Sequence, residues 1–518
     1  NAELLITSKT QYDIMYHFMG IYLVGFLSSL AAVIAYFLYI WFSKQPPSPQ
    51  HFTFVCICGA FHWIPFTIIA YATMFSEVSS NPITFAISFT SAYLLHGFIL
   101  IILTNAFTRR LKTCQKQTQF RTQLQCQMIT SCHLRCAKLL SGTEVFCIYL
   151  RLLGAKIGKH CSIRAINPVS NPELMSIGAG VHLGDFSRII TGFHSSSGYV
   201  SGKIEVQDNS VIGSQSLILP GSLVQKNVIL GALSVAPMNS TLQEGGVYIG
   251  SQSQAVIRNS VKNAYDEGIE KMDMVSKKGV DNLAAAMHKN DSQKVTLTRT
   301  WYQTFSALFT QPLLQTVLPH MVLGLVVFAP LNGVVYLKSA KKLPIYWLLP
   351  LFWIHSGALA ALACVIAKWI LVGKKKAGEE VPIWSQRITL DSTWQAIRTL
   401  VGDYFMDMTS GSFWFVLWMK LMGANVDMEH AVYVDSMGAL LNPEMVKIER
   451  GGCVGREALL FGHVYEGEGG MVKFGEIKIG EYGFAGSRAV AMPGVQIERG
   501  GNLSALSLAM KEEIIRSR

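Results

Sequence analysis

The chain has 518 residues, half of them hydrophobic and only 15% charged, with a formal net charge of +11 and a mean hydropathy of +0.32. A soluble chain carries nearer a quarter charged residues, and here the deficit falls in a few long apolar blocks, which argues against an all-soluble protein. The basic excess sits beside those blocks, at Arg109, Arg110, Lys112, Lys116 and Arg121 and again at Lys374, Lys375 and Lys376. That placement fits lipid headgroups and topology signals, and with no recognition helix, zinc spacing or basic–aromatic sheet pattern it excludes nucleic acid as a partner.

The chain opens at Asn1 without Met or a cleavable-signal pattern, which fits a processed or partial chain. Residues 1–110 are expected to form three transmembrane helices, from the blocks Phe18–Phe42, Phe52–Met74 and Ile83–Phe107. Residues 111–152 read as an amphipathic helical connector and 259–312 as a polar linker with a helix returning to the membrane. Two more spans are expected within 313–373, at Leu314–Leu337 and Ile345–Val372, followed by a basic, amphipathic connector over 374–421. Pro65, Pro319 and Pro330 predict kinks inside spans, and His62, His96, His320 and His355 are read as neutral groups bonded to neighbouring helices. No charged residue lies mid-span, which makes a poor transport pathway.

Residues 153–258 and 422–518 have a different texture. Aliphatic residues recur about every sixth position, often followed by Gly, as in Ile177-Gly178, Leu183-Gly184 and Ile212-Gly213, and again in Ile479-Gly480 and Phe484-Ala485-Gly486. This is the hexapeptide pattern of a triangular coil, in which an inward aliphatic side chain stacks on the coil beneath. An antiparallel sandwich would instead place turn signals every 8–12 residues. The fold class expected is α+β: transmembrane helices plus two tandem left-handed parallel β-helix (hexapeptide-repeat) domains.

The two solenoids are copies of one unit. The twelve-residue step from Gly142 to Gly154 recurs from Gly411 to Gly423, and the eleven-residue step from Gly221 to Ala232 recurs from Gly494 to Ala505. Asn171-Pro172-Glu173-Leu174 matches Asn442-Pro443-Glu444-Met445. Copies of one domain belong on one face of the membrane, and the two intervening spans agree; charge bias makes that face cytoplasmic or its organellar equivalent.

His194 and His463 lie at the same offset of 40 residues from Gly154 and Gly423, each before a Gly-rich excursion. Histidine suits deprotonation of an amine or hydroxyl that attacks a thioester, because its ordinary pKa lies near neutrality. Glu466, three residues after His463, is the candidate carboxylate to fix its tautomer; the first copy has Ser197 there. The bland alternative is a pair of corner histidines bonded to backbone. Ten cysteines without a CxxC pair, and His160, His182 and His194 against only His430 and His463 in the second copy, give no disulfide framework and no metal site.

Several stretches resemble a known family: Gly373-Lys374-Lys375-Lys376 through Trp384, the Gly-Thr/Ser to Leu-Leu/Met-Gly-Ala run, His463-Val464-Tyr465-Glu466, Met492-Pro493-Gly494 and Ala505 to Met510. The family is the membrane-embedded C-terminal region of non-ribosomal-peptide-synthetase-like proteins, poly-lysine synthetases among them. The resemblance implies acyl or aminoacyl transfer from a thioester donor to an amine or hydroxyl acceptor, with His463 and His194 as general bases. The donor would be an acyl-CoA or a carrier-protein pantetheine thioester, with no tightly bound cofactor. Expected partners are the lipid bilayer, an acyl-carrier or upstream loading domain, and other membrane-complex subunits. This chain departs from the family in having no adenylation domain or carrier-protein serine motif, so the alternative expectation is an inactive structural or accessory subunit.

Overall fold

The computed structural model describes residues 129–256 and 299–517, apart from 131, 135–136, 165, 196–197, 251–253, 342–344 and 467–469, together with parts of 81–106. The spans expected at Phe18–Phe42 and Phe52–Met74 and residues 259–298 of the expected linker lie outside the described residues. The described parts of the Ile83–Phe107 block are helical.

The hexads become strands of two or three residues, and each copy winds into three parallel sheets. In the first copy Ile163, Leu183, Ile212, Leu230 and Tyr248 stand in register one above the next. A second sheet stacks Ile177, Val206, Val224 and Leu242, and a third Ile189, Ile218 and Ala236. The second copy repeats the plan with Val426, Ile448, Ile479, Ile497 and Ile515 on one sheet and Leu460, Ala491 and Ala509 on another. Partners along regular coils lie eighteen residues apart, as in Glu205, Leu223 and Thr241 or Lys478, Gln496 and Ile514, so a coil is three hexads. Each buried aliphatic side chain stabilises by about 1.5–3 kcal/mol, but only once a neighbouring coil covers it.

Corners between sheets use the left-handed backbone region. Phe186, Gln215 and Leu233 in the first copy, and Glu457, Arg488 and Leu506 in the second, hold φ between 53° and 60°. Such non-glycine corners push their side chains outward. Phe186 and Leu233 thereby reach the second solenoid and pack on a buried cluster of Leu441, Leu459, Phe461 and Val490. The two solenoids are in contact, corner against face.

Each copy throws out an antiparallel hairpin at the corresponding place: β1 (Gly192–Ser195) with β2 (Gly198–Ser201), and β3 (His463–Glu466) with β4 (Met471–Phe474). A third strand, Glu380–Pro382, adds to the second hairpin along β4.

A short helix leads into each solenoid. The first, α1 (Glu144–Leu152), is capped by the Thr143 hydroxyl, which accepts from Phe146 N–H, and buries Phe146, Cys147, Tyr149 and Leu150. Next come α2 (Gln311–Lys341) and α3 (Ile345–Leu371), then α4 (Gln386–Ile397) and α5 (Phe413–Leu421), the counterpart of α1. Two stretches, Trp301–Val334 and Pro350–Leu371, are long and apolar enough to cross a membrane. The helix entering α2 starts at Trp301, upstream of the expected Leu314, and passes through a π-helical turn at Ser306–Thr310. A capping box explains the earlier start: Thr300 accepts from Gln303 N–H while the Gln303 side chain accepts from Thr300 N–H. His320 Nδ1 hydrogen-bonds the Thr316 carbonyl of its own helix at 2.6 Å. The indoles of Trp394 and Trp418 donate to the α3 carbonyls of Cys364 and Ala361, lashing α4 and α5 to that helix.

Candidate active site

The site forms where the second hairpin meets the first solenoid. His463 opens β3 directly after Gly462, and the glycine is required: a Cβ there would stand 2.6 Å from Met445 Cβ and 2.7 Å from Asn442 Cβ. That close approach brings His463 onto the turn Asn442-Pro443-Glu444-Met445. The fully buried Asn442 accepts a hydrogen bond through Oδ1 from His463 Nδ1 at 2.6 Å. An amide oxygen only accepts, so Nδ1 carries the proton and the Nε2 lone pair is left free. The rings of Phe461 and Phe474 flank the imidazole, with centroids 6.3 and 6.2 Å away.

Nε2 faces the first solenoid, where Asp185 Oδ2 lies 3.8 Å away. Burial would raise the Asp185 carboxyl, but the polar groups around it, the Arg164 guanidinium among them, outweigh it and hold the group below its ordinary range, so it is ionised at neutral pH. One strand back, the buried His182 ring stacks on Tyr465 of β3, centroids 4.1 Å apart. Burial lowers His182 to about 3 and raises the Tyr465 phenol to about 12, so both are neutral and the stack carries no charge. Around His463 lies a cavity of about 500 Å³ between the solenoids, bordered by Arg164 and Asp185 of the first copy, Gln395 and Arg398 of the connector, and Asp435 and His463 of the second copy.

Asn442 is tied to the long apolar helix α3 through Glu444, two residues on. The Glu444 carboxylate is buried between Lys368, in the last turn of α3, at 3.6 Å, and Lys375 at 3.7 Å. Lys375 also pairs with Asp391 of α4 at 2.6 Å, and Lys368 donates to the Gly373 carbonyl at 2.6 Å. A lysine at the end of a candidate span is thus held two residues from the group that orients His463.

Of the residues expected from sequence, His463 sits on the cavity. Glu466 closes β3 opposite Met471, and His194 lies on β1 opposite Tyr199, but both side chains lie outside what is described. The partner of His463 Nδ1 is Asn442, a residue not among the expected site residues. Asn442 had a signal in the repeated Asn-Pro-Glu, read above only as a mark of duplication. Asp185 had none. Among the described residues no group of three or more His, Cys, Asp or Glu side chains is arranged to hold a metal ion.

No family model matches the chain. A stretch of 118 residues, 23% of the chain, is 27% identical to a delta-poly-L-ornithine synthetase of Acinetobacter baumannii; the match spans 9% of that protein's length. Solved structures with local similarity include a hexapeptide-repeat acetyltransferase of Vibrio cholerae bound to acetyl coenzyme A, at 16% identity over 23% of this chain and 82% of that one, TM-score 0.20. A maltose O-acetyltransferase of Clostridium difficile matches at 16% identity over 31% of this chain and 86% of that one, TM-score 0.19. The N-acyltransferase AntD of Bacillus cereus matches at 15% identity over 26% and 95%, TM-score 0.17.

Proposed function

We propose that this chain is a membrane-anchored acyltransferase that moves an acyl or aminoacyl group from a thioester to an amine, with His463 as general base. The observation that carries the reading is His463 on the wall of the inter-solenoid cavity, its Nδ1 bonded to the buried Asn442 Oδ1 and its Nε2 turned to the first solenoid. In the reaction the acceptor nitrogen attacks the thioester carbonyl while Nε2 takes a proton from that nitrogen. The tetrahedral intermediate then collapses: the C–S bond breaks, and the sulfur leaves as a thiol with the proton returned by the imidazolium. The cavity volume lies in the range that holds small ligands. An amine is favoured over a hydroxyl because two acceptors, Nε2 and the Asp185 carboxylate, face the same space, and an attacking amine brings more than one hydrogen. The name of the poly-L-ornithine synthetase relative agrees with amine acylation. The apolar helices between the copies would anchor both solenoids on one face of the bilayer, and the thioester would arrive on coenzyme A or on a carrier protein's pantetheine.

The test uses the purified full chain with ornithinyl-pantetheine thioester as donor probe and L-ornithine as acceptor probe, following thiol release. Release should depend on the acceptor and fall about 10²–10⁴-fold in His463→Ala. Equal release by the wild type and this variant would sink the reading in favour of an inactive accessory subunit.

A further inference from the structure

Three neighbouring residues of the first solenoid meet the strand that carries the base. His182 stacks on Tyr465, Asp185 faces His463, and Phe186 packs on the cluster that includes Phe461. Residues 461, 463 and 465 alternate along one extended stretch, so a single edge of the first solenoid lines up with a single edge of the second. Two of these contacts fix position: the neutral His182–Tyr465 stack and the apolar seat of Phe186. The third places a carboxylate 3.8 Å from Nε2, beyond hydrogen-bond distance, and both residues border the cavity.

The two copies differ at this corner. Gly184-Asp185-Phe186-Ser187 in the first corresponds to Gly455-Arg456-Glu457-Ala458 in the second, with the same left-handed third residue. The carboxylate of one copy is replaced by a guanidinium in the other. A residue that only turned the corner would tolerate either; the backbone conformation is the same in both.

We infer that Asp185 is a positioning residue for the His463 site, supplied by the first solenoid, and that the two copies together make one acceptor site. Its carboxylate accepts one N–H of the acceptor nitrogen while His463 Nε2 takes the proton from another, so that the lone pair formed at nitrogen points at the thioester carbonyl. The first solenoid is therefore the acceptor-orienting half of the site and the second carries the base. The assignment rests on His463 acting as the base in acyl transfer.

The test compares wild type, Asp185→Asn and Asp185→Glu with the same probes, in thiol release and in calorimetric titration with L-ornithine alone. Asp185→Asn should raise the KM for L-ornithine about 10- to 100-fold, the range for a hydrogen bond to a charged group, and leave the KM for the thioester within about twofold. Asp185→Glu should recover part of the loss. An equal rise in both KM values, or no rise in either, would overturn the role. If the wild type releases no thiol the acyl-transfer reading fails by itself. The titration still tests Asp185, which predicts weaker L-ornithine binding in Asp185→Asn and a partial recovery in Asp185→Glu. Equal affinity in all three, or no binding by the wild type, refutes it.

Discussion

Replacing Glu444 by Leu tests whether the end of α3 and the connector after it hold the base-orienting turn. The wild-type carboxylate is 2% exposed and lies 3.6 and 3.7 Å from two lysines that are themselves 0% and 1% exposed. Removing it leaves buried positive charge, for which broken buried pairs elsewhere cost about 3–5 kcal/mol. Two contacts survive, Lys375 with Asp391 and Lys368 with the Gly373 carbonyl, so the lower end applies, about 3 kcal/mol. For a cooperative unit of 150–250 residues that corresponds to a fall in Tm of about 6–12 °C, read by intrinsic fluorescence in detergent. Adding Lys368→Met to Glu444→Leu should restore part of the loss, because an apolar pair leaves fewer orphaned charges. A Glu444→Leu variant that melts with the wild type would show the network to be ornamental, and the proposed tie between α3 and Asn442 would be lost.

Two further outcomes follow from the geometry. Gly462→Ala should lower thiol release together with stability, by about 1–3 kcal/mol in melting, since its Cβ collides with side-chain roots that cannot retreat. For pH, the sign follows from His182, whose folded-state value is lowered to about 3 by burial. Between the ordinary value near 6.5 and that one, the unfolded chain binds a proton that the folded chain does not, so stability falls as pH falls through this window. At pH 5 the loss from this one group is about 2 kcal/mol. His182→Phe, which keeps an aromatic ring against Tyr465, should flatten the acid limb of Tm against pH; an unchanged limb would refute the burial of a neutral imidazole.

The solenoids were legible in the sequence because a hexad needs one inward aliphatic residue at a fixed phase, and Ile163, Leu183, Ile212 and Leu230 supply it on a single sheet. His463 was legible through its offset from Gly423. The helix expected to return the chain within 259–312 carries its own start signal, the capping box Thr300-Trp301-Tyr302-Gln303, ahead of the apolar block. Asp185 was not legible at all. Its meaning comes from a partner on the other copy, and no local pattern announces which corner of one prism meets which face of another.

The coil length sets what changes to the chain the second solenoid can absorb. Strands three hexads apart share a sheet, so inserting or deleting eighteen residues returns every later strand to its own side. A six-residue change moves everything downstream one side around the prism axis, and a hairpin displaced that way turns its histidine away from the neighbouring solenoid. Length can vary between β3 and β4 without turning the later strands, because that excursion leaves and rejoins the coil at one place.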